Sequence, residues 1–342
     1  MRHERFSHGD LAGPGWPGVS IILPILNEEN YLQDSVSSIL SQEYSGQFEV
    51  ILALGPSRDK TNEVAQTLAN ADSRVKLVES PTGRTAAGLN LAIAASQFPV
   101  IVRIDGHAQI ERDYVYNAVA TLLRTGAVNV GGVMAAQGVT FFEKVVALAM
   151  RSPLGVGSSR FHIGGVEGSV DTVYLGCFDK AALLAAGGYD ERFTRAQDWE
   201  LNFRLRSNGG VIWFNPDLIV LYRPRPTLKK LSSQYFQYGR WRHAVVRNHK
   251  GSVNFRYLAP PALVTLLTLS IIAAFFIPIT IVVPLGYFAA LYAGSVVIGK
   301  ASSPRLRTVL LLPLVIATMH ISWGLGYLTS PAGLIVDEGA DL

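Results

Sequence analysis

Asp105 and His107 stand two residues apart, across Gly106, directly after the apolar run at 100–104. A carboxylate and an imidazole at that spacing form either a plain turn or a seat for a divalent cation, and the end of a buried strand favours the cation. Imidazole suits Mn²⁺ better than Mg²⁺, because magnesium prefers oxygen ligands and water. A second carboxylate, Asp198, opens the segment 197–206, in which Leu201 and Leu205 recur at helical spacing. With those leucines turned to a core, Asp198 either caps the start of a helix or projects from its opposite side into a cleft. Pro24, Asn27 and Glu28 close the first apolar run, where Asn27 either caps the next helix or lines a pocket. Gln237, Arg240 and Trp241 form a Q-x-x-R-W pattern shortly before a long uncharged stretch. Alone, that pattern reads as a basic amphipathic helix on lipid headgroups.

These side chains need a frame, and the hydrophobic pattern supplies one. Residues 19–24, 49–54, 75–78 and 100–104 read as buried strands, and 29–41, 61–69 and 85–96 as helices. The alternation implies an α/β fold with a parallel sheet covered on both faces, whose ligands bind beyond the carboxyl ends of the strands. Residues 171–176 fit a further strand whose terminal Gly176 would admit close approach of an acceptor, with core packing an equal alternative. No G-x-G-x-x-G follows the first strand and no G-x-x-x-x-G-K-[ST] occurs, which argues against dinucleotide and P-loop chemistry.

Composition separates a catalytic part from a membrane part. The chain has 342 residues, and residues 1–217 hold 18 Lys/Arg against 23 Asp/Glu. Residues 218–336 hold 12 basic residues and no acid, whereas the tail carries Asp337, Glu338 and Asp341. A basic block beside apolar stretches points to an anionic membrane surface, and no RNA-binding motif supports nucleic acid as a partner. The single cysteine, Cys177, cannot form an intrachain disulfide, which fits a reducing compartment. The first apolar run is too short and broken for a signal peptide, so the soluble part is expected in the cytosol.

Read in order, these motifs resemble those of membrane-bound family 2 glycosyltransferases over roughly residues 19–247. The likeness is greatest to the glucosyltransferases of succinoglycan-type exopolysaccharide assembly, which act on polyprenyl-diphosphate-linked intermediates. The resemblance implies a GT-A fold, a Rossmann-like nucleotide-diphospho-sugar transferase domain, followed by a C-terminal α-helical transmembrane region. It implies that Pro24, Asn27, Glu28, Ser57, Asp59, Arg84, Asn90, Asp105, Gln237, Arg240 and Trp241 contact the donor, and that Asp105 and His107 hold Mn²⁺ or Mg²⁺ on its diphosphate. It makes Asp198 the general base of an inverting displacement and sets Gly176, Gln197 and Trp199 on the acceptor side. The chain departs from the family pattern at three places. His107 replaces the second carboxylate of D-x-D, Gln197 replaces a Glu before the base, and Leu54 and Gly55 stand where acids normally read uracil. Gln197 removes a neighbouring negative charge and should leave the pKa of Asp198 less elevated. Uridine diphosphate is the first choice of nucleotide because it is the commonest.

The 42 uncharged residues at 258–299 are twice the ~20 that one span needs. Two helices fit there, at 258–278 and 279–299, and a third at 309–329. Amphipathic helices are expected at 141–150 and 228–243, lying on the membrane. The organisation is then a flexible tail (1–18), a GT-A domain (19–225), interface helices with the Q-x-x-R-W motif (226–257), three transmembrane helices (258–329) and a C-terminal tail (330–342). Positive-inside bias puts the catalytic domain in the cytosol of a multi-pass protein of the plasma, or inner, membrane, with the C-terminus outside. Three spans are too few for a self-contained export channel. The expected partners are a nucleotide-sugar donor, a polyprenyl-linked or polysaccharide acceptor of the cell envelope, and membrane lipids. Two alternatives are a polyprenyl-monophosphate sugar synthase, against which Asp198 and the Q-x-x-R-W motif argue, and a catalytically silent partner of another transferase.

Overall fold

The computed structural model describes residues 15–302 and 306–335. Most of the expected N-terminal tail, part of the basic loop before the third apolar helix, and the acidic end of the chain lie outside the described residues. The strands are β1 (Val19–Ile25), β2 (Phe48–Leu54), β3 (Val75–Glu79), β4 (Val100–Arg103), β5 (Asn129–Ala136), β6 (Gly168–Ser169), β7 (Tyr174–Asp179) and β8 (Ile212–Tyr222). Between them run α1 (Leu32–Leu40), α2 (Thr61–Ala71), α3 (Thr85–Ala95), α4 (Tyr114–Thr125), α5 (Phe141–Met150), α6 (Pro153–Val156), α7 (Arg160–Ile163), α8 (Lys180–Ala185) and α9 (Gln197–Ser207). Four long helices follow: α10 (Leu228–Asn248), α11 (Phe255–Ala274), α12 (Val282–Ser302) and α13 (Leu306–Leu328).

One sheet carries all eight strands in the order β3-β2-β1-β4-β7-β5-β8-β6. Its first four strands are parallel, as the βαβ pattern predicts. The parallel expectation fails at β7, which runs antiparallel to both β4 and β5. No single crossover helix leads into β7; the chain travels through α5, α6 and α7 first and re-enters the sheet from the opposite end. Both faces of β1 are buried: Val19, Ile21, Leu23 and Ile25 join one core and Ile22 the other. That two-sided burial explains why the strand is apolar throughout instead of alternating. The strand expected at 171–176 begins only at Tyr174, so Gly176 lies inside β7, where an added Cβ would meet Asn129 Oδ1 at 2.5 Å and the Phe178 ring. Its lack of a side chain serves packing within the sheet.

The helix expected from residue 29 starts at Leu32 because residues 27–29 are committed elsewhere. The Asn27 amide donates to Ser57 Oγ at 3.1 Å, that of Glu28 to Thr61 Oγ1 at 2.7 Å and that of Glu29 to Asp59 Oδ2 at 3.4 Å. Asn27 Oδ1 in turn accepts from the Arg58 amide at 2.8 Å. Asn27, Ser57 and Asp59 therefore knit the loops after β1 and β2 together, and Asn27 caps no helix.

Helix α13 is the axis of the C-terminal part. It packs on α10 through glycines that bring the two backbones together: a Cβ on Gly239 would lie 2.0 Å from Trp323 O, and one on Gly326 2.0 Å from Phe236 O. Any side chain at either position would force the helices apart. His243 stacks on Tyr327 at 4.4 Å and Ser232 bonds Ser322 at 2.9 Å along the same seam. Helices α5 and α10 direct Val145, Val146, Leu231 and Tyr235 into a core shared with α13. Among the described residues three helical segments are long and apolar enough to cross a membrane: α11, the segment from Pro278 that contains α12, and α13. Leu269, Ile279 and Leu285 on them, and Phe275 and Phe276 just after α11, are 59 to 84% exposed, a surface suited to an apolar solvent.

Candidate active site

Strand β4 ends in a buried arginine. Arg103 is 4% exposed, and its guanidinium faces two carboxylates at once. Nη2 donates to Asp105 Oδ1 at 3.1 Å, and Nη1 forms a tight ion pair with Asp198 Oδ1. The Tyr189 ring lies 5.7 Å from Cζ. One side chain thus holds together two acids that are distant in sequence, one at the end of β4 and the other in the first turn of α9. This decides between the two readings of Asp198. Helix α9 has no side-chain cap bond; its N-cap is Ala196, in a left-handed conformation at φ 61° that a non-glycine residue rarely adopts. Asp198 projects instead into a cavity of about 780 Å³ beyond the ends of β1 and β4, and among the described residues its Oδ2 has no hydrogen-bond partner. Burial raises its pKa above the ordinary value; Arg103 opposes that shift and Asp105 adds to it. The pKa of Asp198 is thus raised even with Gln at position 197, because burial and Asp105 supply the elevation.

His107 lines the same wall. Its Nδ1 is 2.8 Å from Glu28 Oε1, and this hydrogen bond raises its pKa, with burial opposing. A carboxylate on one ring nitrogen fixes the imidazole and leaves Nε2 for a cation, the arrangement that metal-binding histidines commonly use. Among the described residues no group of three or more His, Cys, Asp or Glu is placed to hold a metal. Asp105 and His107 supply at most two ligands. That set fits a cation whose other positions are filled by phosphate oxygens and water, as for metals that travel with nucleotides.

Of the residues expected to touch donor or acceptor, Pro24, Glu28, Arg84, Asp105, His107, Gln197, Asp198 and Trp199 line the cavity. Asn27, Ser57, Asp59, Asn90, Gly176, Gln237, Arg240 and Trp241 are not among its lining residues. Asn90 is committed to the chain at 189–191: its Nδ2 donates to Tyr189 O and Glu191 Oε1, both at 2.8 Å, and its Oδ1 accepts from the Tyr189 amide at 2.8 Å. Trp241 packs with Phe193, Ala244 and Val245 in a small apolar cluster that Leu334 and Ile335 help to cover. The helical period explains the Q-x-x-R-W result, since α10 presents Gln234, Tyr235 and Tyr238 to the cavity and turns the motif residues to another side. Gln234 Nε2 donates to Tyr222 Oη at 2.8 Å and Tyr238 Oη at 2.9 Å, which fixes that wall.

Several residues were given no role from sequence. Arg103 carried a usable signal, a lone cation ending an otherwise apolar central strand. Arg195 and Arg225 also line the cavity and bring positive charge to it, but each sits in a loop that no periodicity locates. At Gly55, where the family pattern implies an acid, a Cβ would come within 3.1 Å of Gly83 Cα and Ile25 O, so a larger side chain would press on the loop.

The model of glycosyl transferase family 2 matches residues 20–174. The succinoglycan biosynthesis protein ExoA of Rhizobium meliloti (strain 1021) is 31% identical over 90% of this chain and 93% of its own length. A dolichyl N-acetyl-alpha-D-glucosaminyl phosphate 3-beta-D-2,3-diacetamido-2,3-dideoxy-beta-D-glucuronosyltransferase of Methanococcus voltae is 26% identical over 71% of this chain and 77% of its own. Among solved structures, the mannosyltransferase PcManGT of Pyrobaculum calidifontis, in complex with GDP-Man and Mn²⁺, superposes with a TM-score of 0.60 at 18% identity, over 92% of this chain and 87% of that one.

Proposed function

The chain belongs to glycosyl transferase family 2 and is a glycosyltransferase of GT-A fold, and from that premise we propose that it moves a sugar, with inversion, from a nucleoside-diphosphate sugar to a lipid-linked or polysaccharide acceptor at the cytosolic face of the plasma or inner membrane. The observation that carries this reading is the pairing of Asp105 and Asp198 through Arg103, on the wall of a cavity that also reaches α11 and α13. The name of the R. meliloti relative supports polysaccharide assembly as the setting, and that of the M. voltae relative supports a lipid-linked acceptor. Uridine diphosphate is the proposed carrier.

The chemistry follows from the placement. The acceptor hydroxyl gives its proton to the free Oδ2 of Asp198 as its oxygen attacks the anomeric carbon. A bond forms from that oxygen to the carbon, the bond from the carbon to the β-phosphate oxygen breaks, and the nucleoside diphosphate leaves from the opposite face. Arg103 keeps Asp198 anionic and aimed. Asp105 and His107 would hold a divalent cation, whose chemistry is to offset negative charge on the leaving diphosphate, and Arg84 lines the same cavity.

The pKa of Asp198 sets a pH dependence. A base must be deprotonated, and burial raises this one above its ordinary 3.8, so kcat/KM should fall with acidity through a limb higher than an ordinary aspartate gives. Arg103→Gln removes the charge that opposes the rise and should move the limb to higher pH. A limb that stays in place or moves down in that variant would separate it from Asp198.

The orientation has its own test. If α11 and α12 cross the membrane as a hairpin, their connection at Pro278–Ile281 faces outside. The native Cys177 is buried, so a Thr280→Cys variant should take an impermeant maleimide from outside intact cells. Labelling only after the cytosolic face is opened would rule out a crossing hairpin.

A further inference from the structure

At its membrane-side end the cavity meets a cluster whose positive charge the protein does not balance. Tyr257, in the first turn of α11, meets two guanidinium groups, with Arg242 Cζ 3.7 Å and Arg256 Cζ 4.7 Å from the ring centroid. Arg256 pairs with Asp171 at 2.9 Å and donates to Tyr257 Oη at 2.6 Å. Arg242 is 5% exposed, donates to Ser252 O at 2.7 Å and has a buried Nε without a partner. Among the described residues no carboxylate forms an ion pair with it. Two cations thus stand beside one carboxylate, which pairs with Arg256 alone, and an uncompensated charge as deeply buried as that of Arg242 is costly. The nearby imidazole of His162 lines the cavity and has a buried Nδ1 with no partner; burial lowers its pKa to about 3 and keeps it neutral.

The cluster stands between the proposed base and the membrane. Trp199, next to Asp198, packs against Tyr257 at 6.1 Å, and Arg242 Cζ lies 5.4 Å from the Trp199 ring. Beyond it the cavity is lined by Pro260 of α11 and by Met319, His320 and Trp323 of α13, on two helices apolar enough to cross a bilayer. We propose that Arg256 and His162, which line the cavity, form the seat for the phosphate of a lipid-carried acceptor, with the buried Arg242 adding positive charge from beside the Tyr257 ring, and that the seat holds the acceptor's sugar toward Asp198 while its chain leaves between the apolar helices. Phosphate oxygens match the forked donors of arginine. The inference rests on the reading of the chain as a transferase that acts at a membrane.

The test uses the full-length protein in maltoside micelles, with farnesyl diphosphate as the probe in calorimetric titrations and UDP titrated in parallel. Farnesyl diphosphate should bind, resist displacement by UDP, and bind more tightly than inorganic diphosphate or farnesol. Arg256→Gln should weaken it by roughly 10–100-fold, the loss expected for hydrogen bonds to a charged group, and leave UDP affinity unchanged. Asp171→Asn removes the competing carboxylate and should tighten it, a gain that a misfolded variant would not show. Displacement by UDP, equal binding of inorganic diphosphate, or an affinity untouched by both substitutions would overturn the seat. A wild-type protein that binds no nucleoside diphosphate would instead count against the wider reading.

Discussion

Asp198→Asn is expected to lower sugar transfer by on the order of 10²–10⁴-fold, the usual worth of a positioned general base, while nucleotide affinity stays close to that of the wild type. The amide keeps the size of the carboxylate and cannot accept the proton. The substitution also removes a charge from Arg103, which is buried and pairs with Asp105 as well, so thermal stability should be measured beside activity. A variant that folds, binds nucleotide and turns over near the normal rate would remove Asp198 from the reaction.

Metal removal should have an effect of similar size. Chelation is expected to cost roughly 10³-fold or more, because a cation on a departing diphosphate supplies several kcal/mol of charge stabilisation. Mn²⁺ should restore activity at least as well as Mg²⁺, since His107 offers nitrogen where most of the family offers oxygen. His107→Asp should shift the preference toward Mg²⁺. Glu28, which holds His107 through Nδ1, should affect the metal requirement without touching the sugar. Full turnover in excess chelator would exclude a metal role for Asp105 and His107.

The catalytic fold was readable in the sequence because its first half is built from apolar runs joined by short helices, and strands buried on both faces leave an unambiguous signal. The reversal at β7 was not readable. Strand direction depends on where the chain re-enters the sheet after α7, and no local pattern in 137–173 encodes it. At the site, Asp105, His107 and Asp198 could be singled out because they fall directly after a buried strand and at the start of a segment with leucines at helical spacing, where an α/β sheet opens its cleft. Arg103 escaped notice although it touches both acids, because a single arginine reads as a strand terminus until its partners are placed beside it. Asn90 and Trp241 show the opposite case. Each fits a motif, yet the amide of one is consumed by the chain at 189–191 and the ring of the other is packed on Phe193. A motif specifies spacing, and spacing on a helix does not fix which face meets the cavity.

The arrangement around Arg242 and Arg256 belongs to the same lesson. Neither residue lies in a recognisable motif, and their meaning comes from meeting on Tyr257, with one carboxylate that pairs with Arg256 alone, in three dimensions. The cavity then joins two environments, the strand ends of the sheet and the first turn of a helix suited to a bilayer. That continuity is what a donor dissolved in water and an acceptor dissolved in lipid would require.

The most direct test of the central claim is the stereochemistry of the purified protein's own turnover of an α-linked UDP-sugar. Proton NMR during slow donor hydrolysis, recorded before the released sugar mutarotates, should show the β-anomer first, formed in step with UDP and absent with Asp198→Asn. Release of the α-anomer first would contradict a single displacement assisted by Asp198.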